Sequence, residues 1–177
     1  MIRFFYSLLV YFLLPFTLVK LIYRGFKQPD YLKHWTERYG FYRLSTKKIW
    51  EKRKTLWIHA VSVGETKAAI PFIKLFLKKY PRHHLLITHG TPTGRATSID
   101  ISDPRVTRIY LPFDTIDATE RFLNTYKPAL GFLLETELWF NLIHQAYTKS
   151  MPLYLVNARL SGKSFQLYKK ISPLITP

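Results

Sequence analysis

Residues 56–66 read LWIHAVSVGET, and the fold of this chain turns on them. An apolar run ends at Ala60, a turn punctuated by Ser62 and Gly64 follows, and Glu65 stands where a helix begins. From Thr66 onward Ala68, Ala69, Ile70, Phe72, Ile73, Leu75 and Phe76 occupy positions that can form the inner face of a helix. In open α/β sheets ligands lie outside the carboxyl ends of the strands, which is where this turn sits. A carboxylate there is well positioned for acid–base chemistry. It equally suits a helix N-terminus, where backbone N–H groups and the macrodipole favour negative charge. Spacing alone leaves the two roles of Glu65 evenly matched.

Working outward, candidate strands at 56–60, 85–88, 106–111, 129–134 and 153–156 alternate with helical patterns at 66–79, 94–99, 118–126, 138–148 and 161–170. Short strands separated by helices predict an α/β fold, a Rossmann-like parallel sheet with right-handed crossovers. Every strand end carries polar residues. The first has Ser62, Gly64 and Glu65, and the second has Thr88, His89, Thr91, Thr93 and Gly94. The third has Asp114, the fourth Glu135, Thr136 and Glu137, and the fifth Asn157, Arg159 and Ser161. Such ends converge on one crevice. Each also has an ordinary reading. Asp114, Ser161 and the threonines make good caps and turns. His89 reads as a turn histidine, and His83 and His84 as solvated residues of a basic loop.

Residues 4–19, FFYSLLVYFLLPFTLV, carry no charge, and Arg3, Lys20, Arg24 and Lys27 flank them. With Ile22 and Tyr23 the stretch approaches the roughly 20 residues that span a bilayer, although Pro15 interrupts it. A membrane anchor or interfacial helix, a helix docked on the domain, and an export signal are all open; no A-x-A cleavage site follows. Residues 31–43, YLKHWTERYGFYR, fit either a membrane interface or a helix packed on the domain that stops at Gly40. The basic stretch 44–54 reads as a linker.

The net charge is +16, and there is no cysteine, which excludes disulfides and thiolate metal sites. Twelve Lys/Arg against three acids precede Leu56, giving that part +9. A basic face implies a polyanionic partner, and its position beside the apolar N-terminus favours anionic lipid over nucleic acid. No basic helix suited to a nucleic-acid groove is evident. A dinucleotide G-x-G-x-x-G, a phosphate loop, a G-x-S-x-G elbow and zinc spacings are all absent. The remaining chemistry is that of carboxylates without an evident metal, with Glu65 and Glu135 as the pair.

HAVSVGET at 59–66, THGTPTGR at 88–95, YLPFD at 110–114, ETELW at 135–139 and NARLSGKS at 157–164 resemble the N-terminal domain of the bacterial Kdo transferases. The resemblance covers nearly the whole chain. It implies the N-terminal half of a GT-B glycosyltransferase that moves 3-deoxy-D-manno-octulosonic acid (Kdo) from CMP-Kdo to the lipid A precursor in lipopolysaccharide biosynthesis. The reaction would take place at the cytoplasmic face of the inner membrane, with CMP-Kdo as substrate and no cofactor. Glu65 aligns with the general base and Glu135 with a transition-state-stabilising residue. Ser62, Gly64, Thr91, Thr93, Gly94, Asn157 and Arg159 would contact the acceptor or organise its cleft. Phe140 departs from the proline that usually follows the tryptophan of the fourth block, and Gly90 from a common methionine.

The implied organisation is a membrane anchor or interfacial helix over 1–24, a basic aromatic linker over 25–54 and an acceptor-binding domain over 55–177. In this family a second Rossmann domain carries most of the CMP-Kdo site. The expectation is therefore that these 177 residues alone do not transfer Kdo, and that CMP-Kdo is a partner only where a donor domain is supplied. The alternatives are a non-catalytic lipid A-binding remnant and one half of a split enzyme.

Overall fold

The computed structural model describes residues 2–42, 53–135 and 139–158, together with 162, 166 and 169. Five strands form one parallel sheet: β1 (Thr55–His59), β2 (His84–His89), β3 (Val106–Tyr110), β4 (Pro128–Leu134) and β5 (Leu153–Val156), in the order β3-β2-β1-β4-β5. The α/β reading therefore holds. The order runs one way from β1 to β3 and then reverses, so β1 and β4 pair at the switch point, with Trp57 opposite Gly131 and His59 opposite Leu133.

Alternation along the strands divides the core in two. Leu56, Ile58, Leu85, Ile87 and Val106 meet Ala69, Ile73, Phe76 and Leu77 of helix α2 (Val63–Lys79) on one face. Trp57, Leu86, Ile109 and Leu133 meet Phe122, Leu123 and Tyr126 of α4 (Ile116–Tyr126) and Leu142 and Ala146 of α5 (Phe140–Thr148) on the other. The short helix α3 (Pro92–Thr97) follows β2 and packs beside α2. Right-handed crossovers account for this segregation, because reversing the direction of travel moves the helices to the opposite face.

Helices α2 and α4 begin earlier than the apolar pattern predicts. α2 starts at Val63 rather than Thr66 because the Ser62 hydroxyl caps its Glu65 N–H, and α4 starts at Ile116 because Thr115 caps Ala118. The expected helix at 161–170 falls outside the described residues except for Gly162, Gln166 and Lys169, which are helical.

Two histidine readings are corrected. His84 opens β2 and is 3% exposed, and its Nδ1 lies 3.2 Å from the Arg105 carbonyl. His89 closes the same strand and is fully buried. β2 is buried at every position from His84 to His89, which places both in the sheet and not in flanking turns.

The apolar N-terminus is the helix α1 (Ile2–Lys27), the one described helix long and apolar enough to cross a membrane by length and composition. It lies against the domain along a narrow stripe. Ser7, Leu21 and Gly25 are buried and Tyr6, Val10, Leu14 and Thr17 half-buried, at spacings of three and four. Polar contacts fix that stripe: Tyr6 donates to Asp114 (2.7 Å), Ser7 to Asn141 (2.9 Å) and Tyr11 to Asp117 (2.7 Å). The other faces present Phe4, Phe5, Leu8, Phe12, Phe16, Val19 and Phe26 to the outside. The domain-facing stripe thus mixes polar contacts with Val10, Leu14 and Leu21, while the large apolar side chains of the other faces point away from the protein.

Of the two readings of 31–43, the described part packs on the domain. It forms two 3-10 turns, Pro29–Tyr31 and Trp35–Tyr39, and not one regular helix. Glu37 accepts from Arg95 (2.7 Å) and from the Tyr110 N–H (2.9 Å), and Gly40 ends the second turn at φ +78°. A Cβ at Gly40 would lie 2.9 Å from the Ala118 carbonyl, so this turn sits directly on α4. Most of the predicted linker, 43–52, lies outside the described residues.

Candidate functional site

The loop from β1 into α2 is built as an N-terminal capping arrangement around Glu65. Ser62 Oγ accepts from the Glu65 N–H (3.3 Å) and donates to Oε1 (2.8 Å), while the Val61 N–H donates to Oε2 (2.8 Å). S-x-x-E spacing produces this reciprocal pattern, here shifted one residue back on the backbone. Both carboxylate oxygens are thus acceptors, and the side chain is buried at 6% exposure. Each oxygen retains acceptor capacity beyond its one donor. Gly64 is exposed, and a Cβ there would meet only Ser62 Oγ, at 3.9 Å. The surface over the start of α2 is therefore open next to Glu65.

The second strand end locks against the first. The Val61 carbonyl accepts from the Gly90 N–H (3.2 Å) and from Thr91 Oγ1 (3.2 Å), and Thr91 in turn caps the Gly94 N–H (3.1 Å). A Cβ on Gly94 would come 2.9 Å from that carbonyl and 3.3 Å from the carbonyl carbon of Ser62. Gly94 is thus required by the close approach of α3 to the β1 loop. Gly90 has a comparable reason, because a Cβ there would lie 2.6 Å from Val61 Cγ1. Thr93 differs from both in being exposed.

Beneath these loops lie two buried histidines: His89, which the sequence reading listed at the second strand end and took for a turn histidine, and His59, which it did not single out. His89 donates from Nδ1 to the Ala60 carbonyl (3.0 Å), and its Nε2 lies 3.1 Å from Ser98 Oγ. Burial, outweighing its bond to Ala60, pushes its pKa down to about 3. His59 Nδ1 lies 2.8 Å from Thr88 Oγ1, and burial lowers its pKa to about 4. Both rings are neutral struts that hold the strand ends bearing Ser62–Glu65 and Thr91–Gly94. Their signal in the sequence was position alone, one at the last residue of each strand.

On the far side of the switch point Glu135 follows β4 and Asn157 follows β5. Both have left-handed backbones, φ +59° and +55°, and the Glu135 N–H donates to the Val156 carbonyl (3.0 Å). Asn157 is exposed and Glu135 half-buried. Because β1 pairs with β4, the loops of Glu65 and Glu135 leave the carboxyl ends of adjacent strands at the switch point, where open α/β sheets bind ligands. Thr136, Glu137, Arg159 and Ser161 lie outside the described residues.

Asp114, at the third strand end, caps a helix, but not the one that follows it. Its Oδ2 and Oδ1 accept the Asn141 and Leu142 N–H groups at the start of α5, both at 2.9 Å, while Oδ2 also holds Tyr6 of α1. Burial raises its pKa to about 6 against the pull of these bonds. Phe140 is the first residue of α5, the position that proline favours. Here its ring packs edge-on against Tyr6 at 5.0 Å, so the departure from proline supplies a contact to α1.

The family model described as 3-deoxy-D-manno-octulosonic-acid transferase (kdotransferase) matches residues 33–177. The 3-deoxy-D-manno-octulosonic acid transferase of Haemophilus influenzae is 37% identical over 169 residues, 96% of this chain and 39% of that protein. That of Rickettsia bellii is 36% identical over 166 residues, 93% of this chain and 38% of the relative. That of Bordetella pertussis is 39% identical over 117 residues, 63% of this chain and 27% of the relative. The chain therefore spans at most about two fifths of the length of these relatives.

Proposed function

We propose that this chain, which belongs to the Kdo transferase family, forms the acceptor-binding half of a glycosyltransferase that moves Kdo from CMP-Kdo to the lipid A precursor. The observation that supports this reading is the pairing of β1 with β4, so that the loops of Glu65 and Glu135 leave the carboxyl ends of adjacent strands. Glu65 takes the proton from the acceptor hydroxyl as the new bond forms to the anomeric carbon and CMP leaves. Glu135 supports the positive charge that develops at that carbon. Ser62 holds the base, and Gly64 leaves room for the sugar over α2. Thr93 and Asn157, both exposed, contact the acceptor directly. Thr91 and Gly94 shape the cleft through the β1 loop.

The acceptor is a membrane lipid, and α1 is suited to bring the cleft to it. If α1 spanned the bilayer, the groups it contacts, Asp114, Asp117 and Asn141, would be drawn into hydrocarbon at several kcal/mol each. Lying in the plane of the cytoplasmic leaflet, α1 buries its apolar faces while the domain stays in water. The excess of basic residues then meets anionic lipid and the phosphates of the acceptor.

The test is a transfer assay with CMP-Kdo and lipid A precursor. Residues 1–177 alone are expected to give no transfer. Joined to the remaining C-terminal part of the Haemophilus influenzae relative, they should restore it. Turnover by the 177-residue chain at the level of a complete enzyme would refute the division of labour. A second reading, a lipid A-binding module without catalysis, is favoured by one observation: both Glu65 oxygens are already engaged by the capping loop. Acceptor binding without transfer in the joined protein would select it.

A further inference from the structure

A groove of about 280 Å³ opens between the first turn of α1, α4 and α5. Arg3 reaches it from α1, His144 and Thr148 from α5, and Lys149 from the residue that follows α5. Glu120 of α4 is the carboxylate on its rim, set against these three basic groups. Lys149 Nζ is held by Asn124 Oδ1 at 2.8 Å, which leaves its other N–H donors free. Asn141 forms wall and not ligand, because its amide is occupied by Ser7 and by the Asp114 carbonyl. Arg3 lies close enough to His144 that its charge adds to burial in lowering the imidazole pKa.

The groove has an apolar neighbour. Phe4 and Phe5, next to Arg3 in the chain, are 67% and 64% exposed, and Leu8 and Leu9 continue the same outward surface. A free anion would satisfy the cations and leave this surface bare. A phosphate carried on acyl chains satisfies both. We propose that the groove binds the phosphate of an anionic membrane phospholipid through Arg3, His144 and Lys149, its acyl chains lying along the outer face of α1. The inference rests on the reading of α1 as a membrane-surface helix.

The two are separable by experiment. The soluble probe is monomeric dihexanoylphosphatidic acid, followed through the His144 ring resonances of the 177-residue chain. It should shift them saturably, with inorganic phosphate and dihexanoylphosphatidylcholine each binding about tenfold more weakly or worse. An R3Q/K149Q variant should lose about tenfold in affinity, and an R3K/K149R variant should keep it. Absence of a saturable shift overturns the proposal. So does equal binding of phosphatidylcholine, which denies the anion, or equal binding of inorganic phosphate, which denies the lipid. Sedimentation with vesicles of pure phosphatidylcholine reads the membrane role of α1 separately. Failure there with retained binding of the soluble lipid sinks the membrane reading and keeps the groove.

Discussion

At the scale of single residues, the structure shows Glu65 as a cap, one of two candidate roles that the sequence left balanced. Its carboxylate completes the cap of α2 and also borders the open surface over Gly64. Substitution separates the roles. Glu65→Gln keeps the shape of the cap but removes the base. In the protein joined to a donor domain it should lower transfer by about 10²–10⁴-fold. Acceptor binding should stay within a few-fold of the unsubstituted protein. Ser62→Ala removes the capping hydroxyl and should cost about 1 kcal/mol of stability, read as a shift of the urea midpoint at unchanged slope. If the two substitutions depress transfer only in proportion to the stability they cost, Glu65 is a cap and nothing more. The turn and the carboxylate at the helix start were legible from Ser62, Gly64 and Glu65, whereas the capping role of Ser62 was not read. The locking of Thr91 and Gly94 onto Val61 was not legible, because it is a contact between two loops about 30 residues apart.

At the scale of elements, α1 shows how composition hides direction. Its apolar residues left a membrane helix, a helix docked on the domain and an export signal open, and its hydropathy said nothing of which side would face the domain. That side is set by Tyr6, Ser7 and Tyr11, whose partners Asp114, Asp117 and Asn141 lie more than 100 residues away. The strands were legible from their apolar runs, whereas the strand order, and with it the pairing of β1 and β4, had no local signature. The docking of α1 can be weighed. Tyr6→Phe removes a hydrogen bond to a buried carboxylate, a contact of about 1.5–3 kcal/mol, and Phe140→Pro removes the ring contact while suiting the first position of α5. Both variants should speed hydrogen exchange in the first half of α1, with the amides of β1 and β2 unchanged. Asp114→Ala should cost more than either, because it also strands the Asn141 and Leu142 N–H groups inside the protein. Equal exchange in all three variants would mean that α1 is held by its apolar stripe alone.

At the scale of the whole molecule, buried titratable groups set the dependence of stability on pH, and they oppose one another. His59 and His89 have folded pKa values of about 4 and about 3, below the ordinary histidine value. Their contribution is fully present above about pH 6.5 and is lost as pH falls toward the folded values, because the unfolded chain takes up protons that the folded one refuses. Asp114 has a folded pKa of about 6, above its ordinary value. Its contribution is fully present below about pH 4 and is lost as pH rises through about 6. Between these limits two histidines act against one carboxylate, leaving a net of one proton taken up on unfolding. Stability should therefore rise with pH from about 4 to 6, at roughly 1.4 kcal/mol per unit from these three groups. Replacing both histidines by asparagine removes the two opposing protons and leaves Asp114 in control. The slope of the urea midpoint against pH should then change sign over the same window, even though the variant starts less stable. A slope of unchanged sign would mean that the two rings are not held neutral under the loops of Glu65 and Thr91.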